Sequence, residues 1–190
     1  MLKLTAESKG VFGSNIMVSE DLRGMAVKLI NTLKEVREES KDMEERAKVV
    51  ITSAGDPVKM SSLIKDSGMV WGHVLPSVKH ASRAVKAGVD FMVVSGQEGG
   101  FHGPWEPISS LILLPAVCEE FPDIPVVGAG GYCDGKSLAA TFSGDEEKSL
   151  FAGGECVQRI QDLPTSAEVV ERTVKVAEET LRSSYEKYLS

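Results

Sequence analysis

The sequence is short of cysteine, of positive charge and of long apolar runs, and each shortage removes a class of protein. Its three cysteines, Cys118, Cys133 and Cys156, are odd in number, far apart and without CxxC spacing. Neither a disulfide framework nor a zinc site is expected from them, and no metal is assigned. Cys133 stands in a glycine loop but reads as a small apolar filler. No apolar run approaches the roughly 20 residues of a membrane span. Lys3 and Glu7 interrupt the start, where a signal peptide would carry an apolar stretch. A cytoplasmic protein with no membrane partner is therefore expected. The 21 Lys and Arg against 28 Asp and Glu leave a net charge of −7, which disfavours nonspecific binding to a phosphate backbone. Nucleic acid is not an expected partner, although a local basic pocket could accept one phosphate group.

What is present is ordinary for a globular chain: 42% hydrophobic and 26% charged residues over 190 positions. That length suits a single α/β domain over 1–190, short of the roughly 250 residues of a complete eight-fold β/α barrel. Five apolar, β-branched runs predict strands near 11–17, 48–53, 69–75, 89–95 and 124–129. The run at 89–94 is apolar almost throughout, as in a parallel strand covered on both faces. Between the runs lie helical patterns. One starts from Ser19 as N-cap and carries Leu22, Met25, Ala26, Leu29, Ile30, Leu33 and Val36 at spacings of three and four, then passes into the charged KEVREESKDMEERAK face. Asp56-Pro57 is an N-cap with proline at the first helical position, ahead of Met60, Leu63 and Ile64. Gly68 and Gly88 read as helix stops, and 77–86 as a helix packed through Ala81, Ala84 and Val85. A helix over 109–121 contains Pro115, which predicts a kink or a restart, and Asp134 can cap a helix through Phe142. Residues 143–163 show no pattern. Thr165 and Glu168 then have capping-box spacing, ahead of a long helix from about Ser166 with a Val170, Val174, Ala177, Leu181 stripe. The order is βαβα, parallel βα units with a core over 11–142 and a C-terminal segment over 143–190.

Two loops carry the candidate chemistry. In VVSGQEGGFHG at 93–103, adjacent glycines let a main chain approach a ligand, and His102 can exchange a proton near neutral pH. Glu98 is either an acid/base group or a carboxylate that holds its loop by accepting amide hydrogen bonds, the second being favoured. In PVVGAGGYCDGKSLAA at 125–140, Gly128-Ala129-Gly130-Gly131 follows a buried strand, as in the phosphate cups of β/α barrels. It is neither a dinucleotide GxGxxG nor a Walker loop. His73, near a strand's carboxyl end, and His80, on a helix, read first as structural.

Four stretches in this order, FGSNIM at 12–17, TSAGDP at 52–57, EGGFH at 98–102 and IPVVGAGGYCDGKSLAA at 124–140, resemble the FMN-dependent nitronate monooxygenases and their relatives, the flavin-type enoyl-acyl carrier protein reductases. The resemblance implies a TIM-type β/α barrel with FMN at the carboxyl ends of its strands. His102 matches the base that takes the α-proton of a nitroalkane, and Asn15 matches a residue near the flavin ring. Gly100, Gly130 and Gly131 fall at cofactor-binding positions, while Ser53 and Glu98 fall in the substrate pocket. The flavin would pass electrons to oxygen or, in the reductases, relay a hydride from a nicotinamide. Family members begin with a strand and a glycine-methionine loop upstream of anything here, and a GTRF-like strand end is not found after SLAATF. SLFAGGECV resembles the family's C-terminal segment. A partial barrel is the expected architecture, and a homo-oligomer is one way to cover its open sheet. A lyase or isomerase using a phosphate-bearing substrate without flavin, and a non-catalytic fragment or subunit of the family, are the competing readings.

Overall fold

The computed structural model describes residues 10–99, 108–131 and 164–188. Strands β1 (Phe12–Met17), β2 (Ala47–Ser53), β3 (Val70–Leu75), β4 (Phe91–Ser95) and β5 (Val126–Ala129) form one parallel sheet in the order β1-β2-β3-β4-β5. Each lies within two residues of the span expected from its apolar run. Spatial order equal to chain order, with no reversal, is the winding of a β/α barrel wall and not of a doubly wound sheet.

The helices are α1 (Arg23–Glu39), α2 (Lys41–Arg46), α3 (Ser61–Lys65, entered through a 3₁₀ turn at Pro57–Met60), α4 (Val78–Ala87), α5 (Ser110–Glu120) and α6 (Ser166–Tyr188). Several caps are the expected ones. Asp56 accepts from the Val58 N–H at 3.2 Å with proline behind it, and Ser77 accepts from the His80 N–H at 3.3 Å. Gly88, at φ 78°, ends α4 in the left-handed conformation that glycine adopts without Cβ strain. The Thr165 N–H donates to Glu168 at 2.7 Å while the Glu168 N–H donates back to the Thr165 hydroxyl at 3.3 Å, a complete capping box.

Four expectations are corrected. Ser19 does not cap α1: its carbonyl accepts from the Leu22 N–H in a turn, and the helix begins only at Arg23. The charged run is not one helical face, because Ser40 is extended (φ −142°, ψ 116°) and caps a second helix through the Met43 N–H. Pro115 causes no restart, since α5 runs unbroken across it. On α6, Val170 and Val174 are exposed while Ala177 is buried, so the apolar stripe is covered only in its later part. The helix expected from Asp134 through Phe142 lies outside the described residues.

Contacts divide the chain into two compact units, Met1–Val93 with Glu120–Val127, and Val94–Glu119 with Gly128–Ser190. In the first, β1, β2 and β3 pair in parallel, with Asn15 opposite Ile51, Met17 opposite Ser53 and Thr52 opposite His73. Burial separates the two faces. Ile16, Val50, Thr52, Trp71, His73 and Leu75 are all below 5% exposed. They occupy alternate positions on one face, and Ala26, Ile30, Ala81 and Ala84 are among the buried helical residues of the same unit. The intervening positions Gly13, Asn15, Val49, Ile51 and Ser53 remain at least partly open. Arg46 closes the amino end: its Nη1 pairs with Asp42 at 3.0 Å, its Nε donates to the Gly10 carbonyl at 3.3 Å, and its guanidinium stands 6.0 Å from the Phe12 ring. In the second unit, Val94, Leu113 and Val117 are fully or almost fully buried. No helix among the described residues is long and apolar enough to cross a membrane.

Candidate functional site

At the carboxyl end of the first unit's strands, β1 and β2 hold each other through main chain and side chain. The Val18 N–H donates to the Ser53 carbonyl at 2.8 Å, and the Ser53 hydroxyl donates to Asn15 Oδ1 at 3.1 Å. The chain then turns sharply: Ala54 has φ 58°, the only non-glycine with positive φ among the described residues. Gly55 is pressed against β1's exit loop, where a Cβ would stand 2.3 Å from the Val18 carbonyl oxygen. A strained residue followed by a glycine that admits no side chain fixes the TSAGDP loop tightly. Asn15 and Ser53, two of the expected site residues, are thereby brought into contact.

On the opposite, helix-covered face the polar side chains satisfy one another. The Trp71 indole N–H donates to Thr52 Oγ1 at 2.8 Å, and Thr52 Oγ1 lies 2.8 Å from His73 Nδ1. Because the indole can only donate, the threonine hydroxyl keeps its own proton for His73 Nδ1, whose distance is far better than the 3.4 Å to the Gly72 carbonyl. Burial lowers the imidazole to about 4; the nearby His80 adds to this, while Asp56 and a backbone hydrogen bond with Thr52 oppose it. His73 is thus a neutral core histidine, in keeping with its structural reading. His80 is exposed and bonded to the Ser77 hydroxyl at 2.7 Å.

In the second unit the loops after β4 and β5 are locked together. Glu98, only 3% exposed, accepts from the Ser109 hydroxyl at 2.7 Å and from both the Ser110 N–H and hydroxyl at 2.8 Å. It caps α5 from outside the helix and satisfies an N–H that the helix itself cannot. Burial raises its pKa, but the hydrogen bonds outweigh burial and hold the carboxyl below its usual value. Of the two roles the sequence allows, the structure shows the clamp. Ser110 also accepts from the Gly96 N–H at 3.0 Å and lies 3.2 Å from the Ala129 carbonyl, so one hydroxyl ties both loops. Gly130 and Gly131 follow β5 with φ 82° and 84°. A Cβ on Gly130 would lie 2.8 Å from the Gly99 nitrogen. Among the described residues, Gly130 and Gly131 offer main chain and no side chain just beyond β5.

Ser109 and Ser110 were not singled out in the sequence, although paired serines before an apolar helical run are an N-terminal signal. Ala54 and Thr52 enter the sequence reading only as members of the TSAGDP stretch, with no role of their own. His102, Gly100, Cys133 and Cys156 lie outside the described residues. Among the described residues, no cluster of His, Cys, Asp and Glu could hold a metal ion.

The nitronate monooxygenase family profile matches residues 15–144, which contain both glycine loops and the strand ends described above. The chain belongs to that family. Among curated relatives it is similar to (3aS,4S,5R,7aS)-5-hydroxy-7a-methyl-1-oxo-octahydro-1H-indene-4-carboxyl-CoA dehydrogenase of Mycobacterium tuberculosis, 32% identical over 74% of this chain and 36% of that one. The enzyme of the same name from Rhodococcus jostii is 36% identical over 53% of this chain and 28% of its own length. Among solved structures, FabK from Thermotoga maritima superposes with a TM-score of 0.60 at 27% identity, over 79% of this chain and 42% of the other. Nitroalkane oxidase from Streptomyces ansochromogenes gives 0.54 at 22% identity, over 75% and 49%, a likeness of fold alone. These neighbours are TIM-barrel enzymes, and the described structure is a part of that architecture. The chain spans about a third of the curated relatives it matches.

Proposed function

We propose that this chain is the FMN-binding and proton-abstracting part of an oxidoreductase that converts nitroalkanes or their nitronates with oxygen. The observation that carries the reading is the family match over 15–144, which includes the EGGFH and GAGG loops at the ends of consecutive strands. The second unit's residues fit an anionic group. Gly130 and Gly131 are left-handed, and at Gly130 the main chain of Gly99 leaves no room for a side chain, so their backbone can close on a phosphate. In the first unit, Asn15 offers its amide to the polar edge of a ring. Bound FMN would supply the two-electron chemistry. His102 takes the substrate's α-proton; Glu98, already committed to Ser109 and Ser110, holds the loop and transfers no proton. Ser53 stands among the open residues of its sheet face, on the side where substrate would lie.

The first test is reconstitution of the purified full chain with FMN, followed by the visible spectrum and by oxygen uptake with a nitroalkane and with its preformed nitronate. Retained flavin bands and uptake on both support the reading. A second reading, an enoyl-acyl carrier protein reductase-like enzyme, is supported by the likeness at 27% identity to FabK, itself an enoyl-acyl carrier protein reductase. It predicts oxidation of a reduced nicotinamide dependent on an enoyl thioester and no nitronate turnover. A colourless, inactive protein would favour the lyase or isomerase reading or the non-catalytic one, and a homo-oligomer remains part of the proposal, read from the protein's mass in solution.

A further inference from the structure

Asn15 has two kinds of hydrogen-bonding atom, and the structure uses only one. Oδ1 accepts from the Ser53 hydroxyl at 3.1 Å, while the side chain is exposed and its NH₂ makes no bond among the described residues. Ser53 itself is fixed. It sits opposite Met17 in the register, its carbonyl accepts from the Val18 N–H at 2.8 Å, and the residue after it is the strained Ala54. A serine hydroxyl can rotate, but with its backbone pinned its proton has a ready acceptor in Asn15, and that choice decides which end of the amide faces outward.

We infer that Ser53 is a positioning residue for Asn15: by donating to Oδ1 it presents both amide hydrogens of Asn15 on the open sheet face, as a donor pair for a flat ligand edge that carries only acceptors. An oxidised flavin offers such an edge, with a carbonyl oxygen beside an unprotonated ring nitrogen. This step rests on the flavin reading above. A ligand presenting donors at that edge would meet hydrogens and be refused, because an unpaired donor in a closed site costs more than a made bond returns.

The experiment is FMN titration by fluorescence quenching on the full chain and on the Ser53→Ala, Ser53→Thr, Asn15→Ala and double Ser53→Ala/Asn15→Ala variants. Ser53→Ala should weaken binding by roughly 5- to 10-fold, the scale of one oriented hydrogen bond. Ser53→Thr should restore it, and Ser53→Ala should cost nothing further when Asn15 is already alanine. Equal losses in both backgrounds, or none in either, would overturn the inference. The orientation is also read without ligand, from the two side-chain amide proton resonances of Asn15, which should move in Ser53→Ala and return in Ser53→Thr. Failure of the unmutated chain to bind FMN would remove the flavin reading. In that case, resonances indifferent to Ser53→Ala would overturn the positioning role, whereas responsive ones would sustain it for another acceptor-edged ligand.

Discussion

Protonating His73 should destabilise this protein as the pH falls below about 6.5. The imidazole is 2% exposed and lowered from 6.5 to about 4, chiefly because burial disfavours the cation. In the unfolded chain it takes up a proton near 6.5, while the folded protein does not. The unfolded state therefore binds more protons between about pH 6.5 and pH 4, and stability falls as pH falls through that window. At 1.36 kcal/mol per unit, the whole shift corresponds to about 3 kcal/mol, of which about 2 kcal/mol should be lost between pH 7.5 and pH 5. With a urea dependence of 1 to 3 kcal/mol per molar, the unfolding midpoint should move down by about 1 M. The control is His73→Gln, which lowers stability at every pH but should flatten this segment of the curve. The chain has three histidines, so proton resonances of the imidazoles can be followed singly. A His73 signal titrating near 6.5, or an unchanged pH slope in His73→Gln, would refute the reasoning.

Glu98→Ala removes three accepted hydrogen bonds and orphans the Ser110 N–H; we expect a loss of about 2 to 3 kcal/mol in denaturant unfolding. Because the folded carboxyl lies below its usual value, Glu98's contribution should be present above about pH 4.5 and vanish as the solution is made more acid, with Glu98→Gln removing that dependence. Gly130→Ala places a Cβ 2.8 Å from the Gly99 nitrogen on a residue with φ 82° and should cost about 2 to 3 kcal/mol, with phosphate affinity falling too; calorimetry with inorganic phosphate and FMN would show it. His102→Ala should spare FMN binding and slow turnover of a neutral nitroalkane by roughly 10² to 10⁴, while a preformed nitronate, which has already lost the proton, is affected far less. Equal losses on both substrates would assign His102 to positioning.

The strands could be read from the sequence because β-branched runs ended at glycine or at a capping residue, two local signals that agreed. Helix starts depending on a distant neighbour could not. Ser19 has the right chemistry for a cap, yet its carbonyl is taken by a turn, and Ser40 breaks a run that by charge alone would continue. Glu98 could be narrowed to two roles but not to one, since the choice depends on Ser109 and Ser110 returning to it from eleven and twelve residues away. Ala54 was invisible, because nothing about alanine announces a positive φ.

The least legible feature was which face of the sheet is free for ligand. Hydropathy would turn Thr52 and His73 outward and Val49 and Ile51 inward, whereas Thr52 and His73 are 0% and 2% exposed and the two aliphatic residues are partly open. Parallel strands are apolar on both faces, so alternation gives no guidance. The difference lies in hydrogen-bonding capacity. Trp71, Thr52 and His73 donate and accept among themselves, which makes their burial under the helices tolerable. Asn15 and Ser53 pair and still leave an amide's donors unspent on the other face. A polar group that the protein has not satisfied itself marks a ligand face better than polarity does, and the Asn15 and Ser53 variants put that criterion to the test.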